Sequence, residues 1–120
     1  MKLLTSLVLV VALSGCSEPE LTLSDSEISS IEKVFSAAEQ SPEVMEKWAR
    51  SCALCHVNGE GGAPKMGDSG AWKPRIAQGN AILYTHTLEG LNRMPPLGYC
   101  MDCSGEDYAT LINLLVGRTQ

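Results

Sequence analysis

The stretch Cys52-Ala53-Leu54-Cys55-His56 decides the fold of this 120-residue chain. Two thiols three residues apart on a helical turn face the same way, so they can reach the two vinyl groups of one porphyrin and form thioethers. His56 follows directly, where its imidazole can approach the iron as an axial ligand. Thioredoxin-like redox pairs and zinc half-sites share the Cys-x-x-Cys spacing, but a redox pair needs a βαβ context that this chain lacks. The motif therefore predicts one covalently attached c-type haem, held by Cys52 and Cys55.

Composition indicates a single small domain built around such a group. Hydrophobic residues make up 44% of the chain and charged residues 19%, which excludes a disordered polyampholyte. Only two Trp, three Tyr and one Phe are available to fill a core, which is few for a domain of about 100 residues. A porphyrin in the middle of the core would supply the missing bulk. The formal net charge of -5 argues against general nucleic-acid binding.

The amino terminus has the pattern of a bacterial export signal over residues 1–15. Lys2 precedes an apolar run that has about half of the roughly 20 residues of a membrane-spanning helix. The run ends in Leu13-Ser14-Gly15-Cys16, which resembles a lipobox, where the cysteine thiol receives a diacylglyceryl group. We expect Cys16 to anchor the chain in the bilayer through acyl chains, with residues 16–23 as a tether. The alternative is an ordinary cleaved signal in which Cys16 has no role.

This anchor predicts a location in the cell envelope, facing the periplasm. Ser17 rather than Asp follows the cysteine, which resembles the outer-membrane sorting pattern. The oligomeric state is expected to be monomeric.

Helical periodicity, with no segment that alternates every second residue, predicts an all-α fold. Ser24 and Glu27 form a capping-box pattern that begins an additional amphipathic helix within residues 24–40. Residues 41–120 form the haem domain, in which Ser41-Pro42 begins a helix that carries Cys52 and Cys55 on one stripe. The remaining predictions are a loop over 58–70, a helical turn near 73–78, a helix over 80–89 whose apolar stripe includes Ala81, Tyr84 and Leu88, and a last helix from Ser104 to about Val116.

The sixth iron ligand has five candidates. Met94 is favoured, because the two prolines that follow it hold it in a stiff extended segment that can present a thioether. Met45 is expected to pack in the core, Met101 is held between two cysteines, and Met66 is expected on the side of His56. His86 lies opposite the apolar stripe of its helix and is expected to be solvated.

The second cysteine pair, Cys100 and Cys103, has three interpretations. Four thiolates from two Cys-x-x-Cys pairs could bind zinc, but the intervening stretch is far longer than in a usual zinc ribbon. An exported protein meets an oxidising compartment, which favours a local disulfide. A redox-active pair is the third interpretation.

Further runs of sequence are similar to the cytochrome c5 family of class I bacterial cytochromes. They are Gly62-Ala63-Pro64-Lys65-Met66-Gly67-Asp68, the run Ala71-Trp72-Lys73-Pro74-Arg75-Ile76-Ala77-Gln78-Gly79, Met94-Pro95-Pro96 and Cys100-Met101-Asp102-Cys103-Ser104. The resemblance covers about Trp48 to Val116, so it leaves out residues 17–40. It implies a cytochrome c fold, His56 and Met94 as axial ligands, haem on Cys52 and Cys55, and a Cys100–Cys103 disulfide.

Three further residues are candidates for holding the haem and its ligand. The Pro64 carbonyl is a candidate acceptor for the ring N–H of His56, which would fix the tautomer of the ligand. Trp72 and Arg75 are candidate contacts for a haem propionate, and a core tryptophan and an exposed arginine are the plainer alternatives.

The function expected from these features is one-electron transfer with periplasmic or membrane redox proteins as donor and acceptor. No nucleophile and base constellation is present in the sequence, so an enzyme is not expected. A sensor or small peroxidase with five-coordinate haem iron is the alternative, followed by a zinc-stabilised interaction module.

Overall fold

The computed structural model describes residues 22–118. The predicted signal, Cys16 and most of the predicted tether lie outside the described residues. Six helices follow one another along the described chain: α1 (Asp25–Ala37), α2 (Pro42–Arg50), α3 (Ala53–His56), α4 (Ser69–Ile76), α5 (Asn80–Glu89) and α6 (Gly105–Leu115). Short 3-10 turns cover Glu60–Gly62 and Pro96–Tyr99. Between residues 22 and 118 the only extended pairing is an isolated bridge between Leu91 and Met94, so the predicted all-α class is confirmed.

Local capping interactions explain where the helices begin. At α1 the Ser24 side chain accepts from the Glu27 N–H, and the Glu27 carboxylate accepts from the Ser24 N–H at 2.8 Å. Ser104 and Asp107 form the same reciprocal box at α6. Ser41 caps α2, whose first residue is a proline. These helix starts agree with the sequence predictions, because each depends on residues only three positions apart. No helix among residues 22–118 has the length and apolar character needed to cross a bilayer.

The helix expected to continue from residue 42 through both haem cysteines is interrupted. Ser51 has φ -129° and ψ -85°, outside the helical region, and its N–H bonds to the Trp48 carbonyl. The Ser51 hydroxyl donates to the Lys47 carbonyl and lies 3.6 Å from the Cys52 sulfur. The separate short helix α3 then begins at Ala53, directly after Cys52. The prediction of one continuous helix was therefore wrong. The hydroxyl of the buried Ser51 bonds to a carbonyl of the preceding turn, and the helix breaks at this residue.

Helix α6 is the centre of the molecule, and eight of its eleven residues are buried. One side of α6 packs against α2 and α4 through Leu111 and Leu115, which lie with Trp48 and Trp72 in one apolar cluster. Another side packs against α1 and α5, so α1 is part of the same folded body rather than part of a tether.

Helix α5 lies between α1 and the interior. Tyr84 and Leu88 of the predicted apolar stripe line a groove shared with α1. Leu83, His86 and Thr87 line the large interior cavity, and Leu83 also packs in a cluster with Phe35 of α1. The stripe therefore packs on α1, and the face that the sequence suggested to be solvated faces the interior.

Candidate functional site

A cavity of about 500 Å³ brings together residues that are far apart in the sequence. Its walls include Cys52, Cys55 and His56 from the segment around α3, and Met94 from the segment after α5. The predicted contacts Pro64, Trp72 and Arg75 also line it. Cavities of this size are typical of cofactor sites. Both thiols of the attachment motif are free, Cys52 buried and Cys55 half-buried, so the residues present fit a covalently attached haem.

His56 is oriented by contacts on two sides of its ring. The Nδ1 atom lies 2.7 Å from the Pro64 carbonyl oxygen, and the imidazole stacks on Trp72 with ring centroids 6.0 Å apart. A carbonyl can only accept, so Nδ1 carries the proton and donates it. Nε2 is then left with a free lone pair for a metal ion, and hydrogen bonding at Nδ1 increases its basicity.

The chain after His56 is held by backbone contacts rather than by regular structure. The Met66 N–H donates to the His56 carbonyl at 2.8 Å, and the Gly67 N–H donates to the Leu115 carbonyl of α6 at 2.9 Å. A 3-10 turn and the start of α4 at Ser69 lie within the stretch expected to be loop. Met66 is 44% exposed and does not line the cavity.

Trp72 and Arg75 occupy successive turns of α4. The buried Trp72 indole N–H donates to the Lys65 carbonyl at 2.7 Å, so the backbone already uses the donor that a propionate would need. One Nη of Arg75 donates to the Ala71 carbonyl, and the guanidinium retains further N–H groups. Arg75 is the better propionate candidate of the two.

Met94 is held by the segment that follows α5. The Met94 N–H donates to the Leu91 carbonyl at 2.9 Å, and the Leu91 N–H donates back to the Met94 carbonyl at 3.1 Å. Gly90, with φ +85°, allows this turn because an added Cβ would lie 2.8 Å from the Met94 carbonyl oxygen. The side chain is half-buried at the cavity wall, with its methyl group close to Gly98.

Two other candidates for the sixth ligand lie elsewhere than the sequence indicated. Met45 is 36% exposed on α2, so the expectation that it packs in the core was wrong: it lies on the outer side of an amphipathic helix whose inner side carries Val44 and Trp48. His86 is half-buried at the cavity wall rather than solvated. Leu83, His86 and Thr87 are spaced i, i+3 and i+4, so they share a second face of α5, and all three line the cavity. That spacing is the sequence signal that could have located His86.

Cys100 and Cys103 form a disulfide with Cα atoms 5.4 Å apart. Cys100 is completely buried, and the Tyr108 hydroxyl donates to the Cys100 carbonyl at 2.6 Å. Neither cysteine lines the cavity, and residues 22–118 contain no cluster of three or more His, Cys, Asp or Glu that could bind a metal ion. The zinc arrangement is therefore not formed.

Glu60, Arg75 and Arg93 bring charged side chains to the cavity wall, and other charged groups pair on the surface. Arg50 pairs with Asp102 through one Nη at 2.7 and 2.6 Å from the two carboxylate oxygens, across an exposed surface. The hydrogen bond from Arg50 lowers the pKa of Asp102. Within the site, burial raises the pKa of the Cys52 thiol, so an unmodified sulfur there is uncharged at neutral pH.

Comparisons with known proteins agree with this site. The family model described as "Cytochrome C oxidase, cbb3-type, subunit III" matches residues 39–115. The chain is 42% identical over 71 residues to cytochrome c5 of Azotobacter vinelandii, covering 58% of this chain and 86% of that protein. It is 48% identical over 74 residues to cytochrome c-555 of Chlorobaculum thiosulfatiphilum, covering 58% of this chain and 86% of the relative.

A solved structure shares the fold. It is titled "Crystal structure of electron transfer complex of nitrite reductase with cytochrome c", and the match has a TM-score of 0.59 at 28% identity. The match covers 68% of this chain and 100% of the solved one. The chain belongs to the cytochrome c5 family, the c-type cytochromes that carry covalently bound haem c.

Proposed function

We propose that this protein is a membrane-tethered periplasmic electron carrier whose haem iron is bound by His56 and Met94. The observation that supports the proposal is the single cavity that receives both attachment thiols, the oriented imidazole of His56 and the thioether of Met94. Haem c, when bound there, supplies an iron that exchanges one electron between its ferrous and ferric states. The chain's own residues provide the ligands, their orientation and the dielectric environment.

His56 needs little rearrangement to act as a ligand. Its ring is fixed by the Pro64 hydrogen bond and by Trp72, so the same nitrogen is offered in both oxidation states. Electron transfer is favoured when ligands do not move between states.

Met94 and the cavity walls both favour the reduced state. A thioether ligand raises the potential relative to a second histidine, because soft sulfur stabilises ferrous iron. Leu83, Leu111, Ile112 and Leu115 contribute apolar walls, which disfavour the extra positive charge of the ferric state. A relatively high potential is the expected result.

A matched pair of variants tests the sixth ligand, since both Met94 and His86 line the cavity. Met94→Ala should lower the reduction potential and allow carbon monoxide to bind the reduced protein at neutral pH. His86→Ala should leave both properties unchanged. The opposite pattern would identify His86 as the sixth ligand of the iron. Rapid carbon monoxide binding by the unaltered protein would favour the five-coordinate sensor or peroxidase.

Electron donors and acceptors are proposed to be other redox proteins. The solved relative is described as part of an electron transfer complex with nitrite reductase, which supports a protein partner of the redox class. Leu54 and Val57 are 58% and 50% exposed on either side of Cys55, so apolar surface lies next to the haem attachment site. Such surface suits brief contacts with a partner.

The membrane anchor is proposed at Cys16, outside the described residues. It is supported by the lipobox-like Leu13-Ser14-Gly15-Cys16. Mass spectrometry of the mature protein should find acyl chains on an amino-terminal cysteine, and Cys16→Ser should release the haem protein from washed membranes. A mature terminus at another residue would contradict the anchor without affecting the haem site.

A further inference from the structure

Helix α1 has no role assigned by family membership, because it ends at Ala37 and the family match begins at residue 39. Its inner face is nonetheless well packed. Phe35 is 4% exposed and lies in one apolar cluster with Leu83 of α5 and Ile112 of α6. Its ring also meets the Tyr84 ring edge-on, with centroids 6.2 Å apart.

The residues that contact α1 are also cavity walls. Leu83 and Ile112 belong to the α1 cluster and line the haem cavity as well. One layer of side chains therefore separates Phe35 from the cofactor site. Close packing transmits a change at Phe35 to that wall.

Helix α5 in turn determines the position of Met94. Gly90 ends α5, and an added Cβ there would lie 2.8 Å from the Met94 carbonyl oxygen and 2.9 Å from the Pro96 nitrogen. The Met94 segment is therefore in direct contact with the end of α5 and is joined to Leu91 by two hydrogen bonds. A displacement of α5 would move Met94.

A buried polar side chain of α6 holds the end of α1 in place. The Asn113 amide donates to the Phe35 carbonyl at 3.2 Å. The last carbonyls of a helix lack partners within it, so this bond satisfies one carbonyl in the final turn of α1. Asn113 lies in a mostly apolar stretch of α6, and its bond to α1 gives the buried amide a partner.

We propose that α1 is a positioning element that holds α5, and through it Met94, at the haem iron. The proposal rests on the proposed Met94 ligation and deepens it. Phe35 acts through Leu83 and Tyr84 without contacting the haem. Loss of its ring should let α5 shift toward the vacated space and open the sixth position in a fraction of molecules.

The test compares Phe35→Ala with two controls in the full-length haem-loaded protein. Ile28→Ala removes an exposed apolar group from the same helix, and Ser41→Ala removes the cap of α2, which lowers stability away from α5. The readouts are the reduction potential, the long-wavelength charge-transfer band of thioether-bound ferric haem, and carbon monoxide binding. Phe35→Ala should lower the potential, weaken the band and increase carbon monoxide binding about tenfold or more, because apparent affinity follows the fraction of competent molecules.

Asn113→Leu provides a second route if Phe35→Ala does not fold. It removes the donor to the Phe35 carbonyl while keeping the number and branching of the side-chain heavy atoms, and it should produce the same spectral change to a smaller degree. The proposal is wrong if Phe35→Ala or Asn113→Leu folds with a loss of stability like that of Ser41→Ala but has the same reduction potential and charge-transfer band as Ile28→Ala. In that case α1 stabilises the fold and does not position Met94. If the unaltered protein lacks the thioether band and Met94→Ala does not change the potential, the Met94 ligation is wrong and this proposal fails with it.

Discussion

The Lys47–Asp107 pair joins α2 to the start of α6, and its removal should lower the free energy of unfolding by an amount that depends on pH. The Asp107 carboxylate accepts from Lys47 Nζ at 2.6 Å and from the Ser104 N–H at 2.7 Å. The Asp107 and Lys47 side chains are 12% and 21% exposed, so solvent screens the pair only in part. Asp107→Ala loses a charged hydrogen bond and half of the capping box, so we expect about 2 to 4 kcal/mol less stability.

The dependence on pH follows from the direction of the Asp107 pKa. Burial opposes ionisation, but the Lys47 ammonium and the Ser104 hydrogen bonds outweigh it, so the folded pKa lies below the ordinary value. A carboxyl with a depressed folded pKa stabilises fully above its unfolded pKa of about 3.9 and loses that contribution as pH falls through the folded pKa. The difference between the unaltered protein and Asp107→Asn should therefore be constant from neutral pH to about pH 5 and shrink below about pH 4.

Urea unfolding of the haem-loaded protein, followed by circular dichroism across this pH range, measures the effect. A double-mutant cycle with Lys47→Met isolates the pair, and Asp102→Asn is the matched control because the Arg50–Asp102 pair is exposed. The control should change stability little. A difference for Asp107→Asn that persists undiminished at pH 3, or a coupling energy with Lys47 near zero, would refute the reasoning.

Three further changes test close contacts. Gly105→Ala would place a Cβ 2.6 Å from the Tyr84 hydroxyl oxygen, which lies at the end of a half-buried side chain that can turn aside, so thermal unfolding should show a loss of at most about 1 kcal/mol that Tyr84→Phe removes. Gly90→Ala would place a Cβ against the backbone of Met94, so the charge-transfer band expected from the proposed Met94 ligation should weaken even where the protein stays folded. Trp72→Phe removes an indole N–H that donates to the Lys65 carbonyl, so urea unfolding should show a loss of about 1 to 3 kcal/mol of stability. Because neither group titrates, this loss should be the same at every pH.

Features that depend on neighbouring residues in the sequence could be predicted well. The capping boxes at Ser24 and Ser104 and the bounds of α5 follow from side chains within one helical turn of each other. The contact between His56 and the Pro64 carbonyl, which the sequence suggested, is also present at 2.7 Å, eight residues apart.

Features that depend on contacts between residues far apart in the sequence could not be predicted from local pattern. The stripe with Tyr84 and Leu88 is the more apolar face of α5, so periodicity alone directs it inward. The structure turns that stripe toward α1, a helix more than 40 residues away in sequence, and His86 therefore faces the cavity. The break at Ser51 was missed for a related reason, because a serine is compatible with a helix until burial decides which backbone groups it bonds.

The hydrogen bond from Asn113 to the Phe35 carbonyl joins the first and the last of the described helices. It spans 78 residues, so α1 can complete its docking only when α6 is present. Contacts of such long range are slow to form, because loop closure must come first. A chain that stops short of Asn113 would therefore contain both haem cysteines, Cys52 and Cys55, and still lack the bond that secures the end of α1.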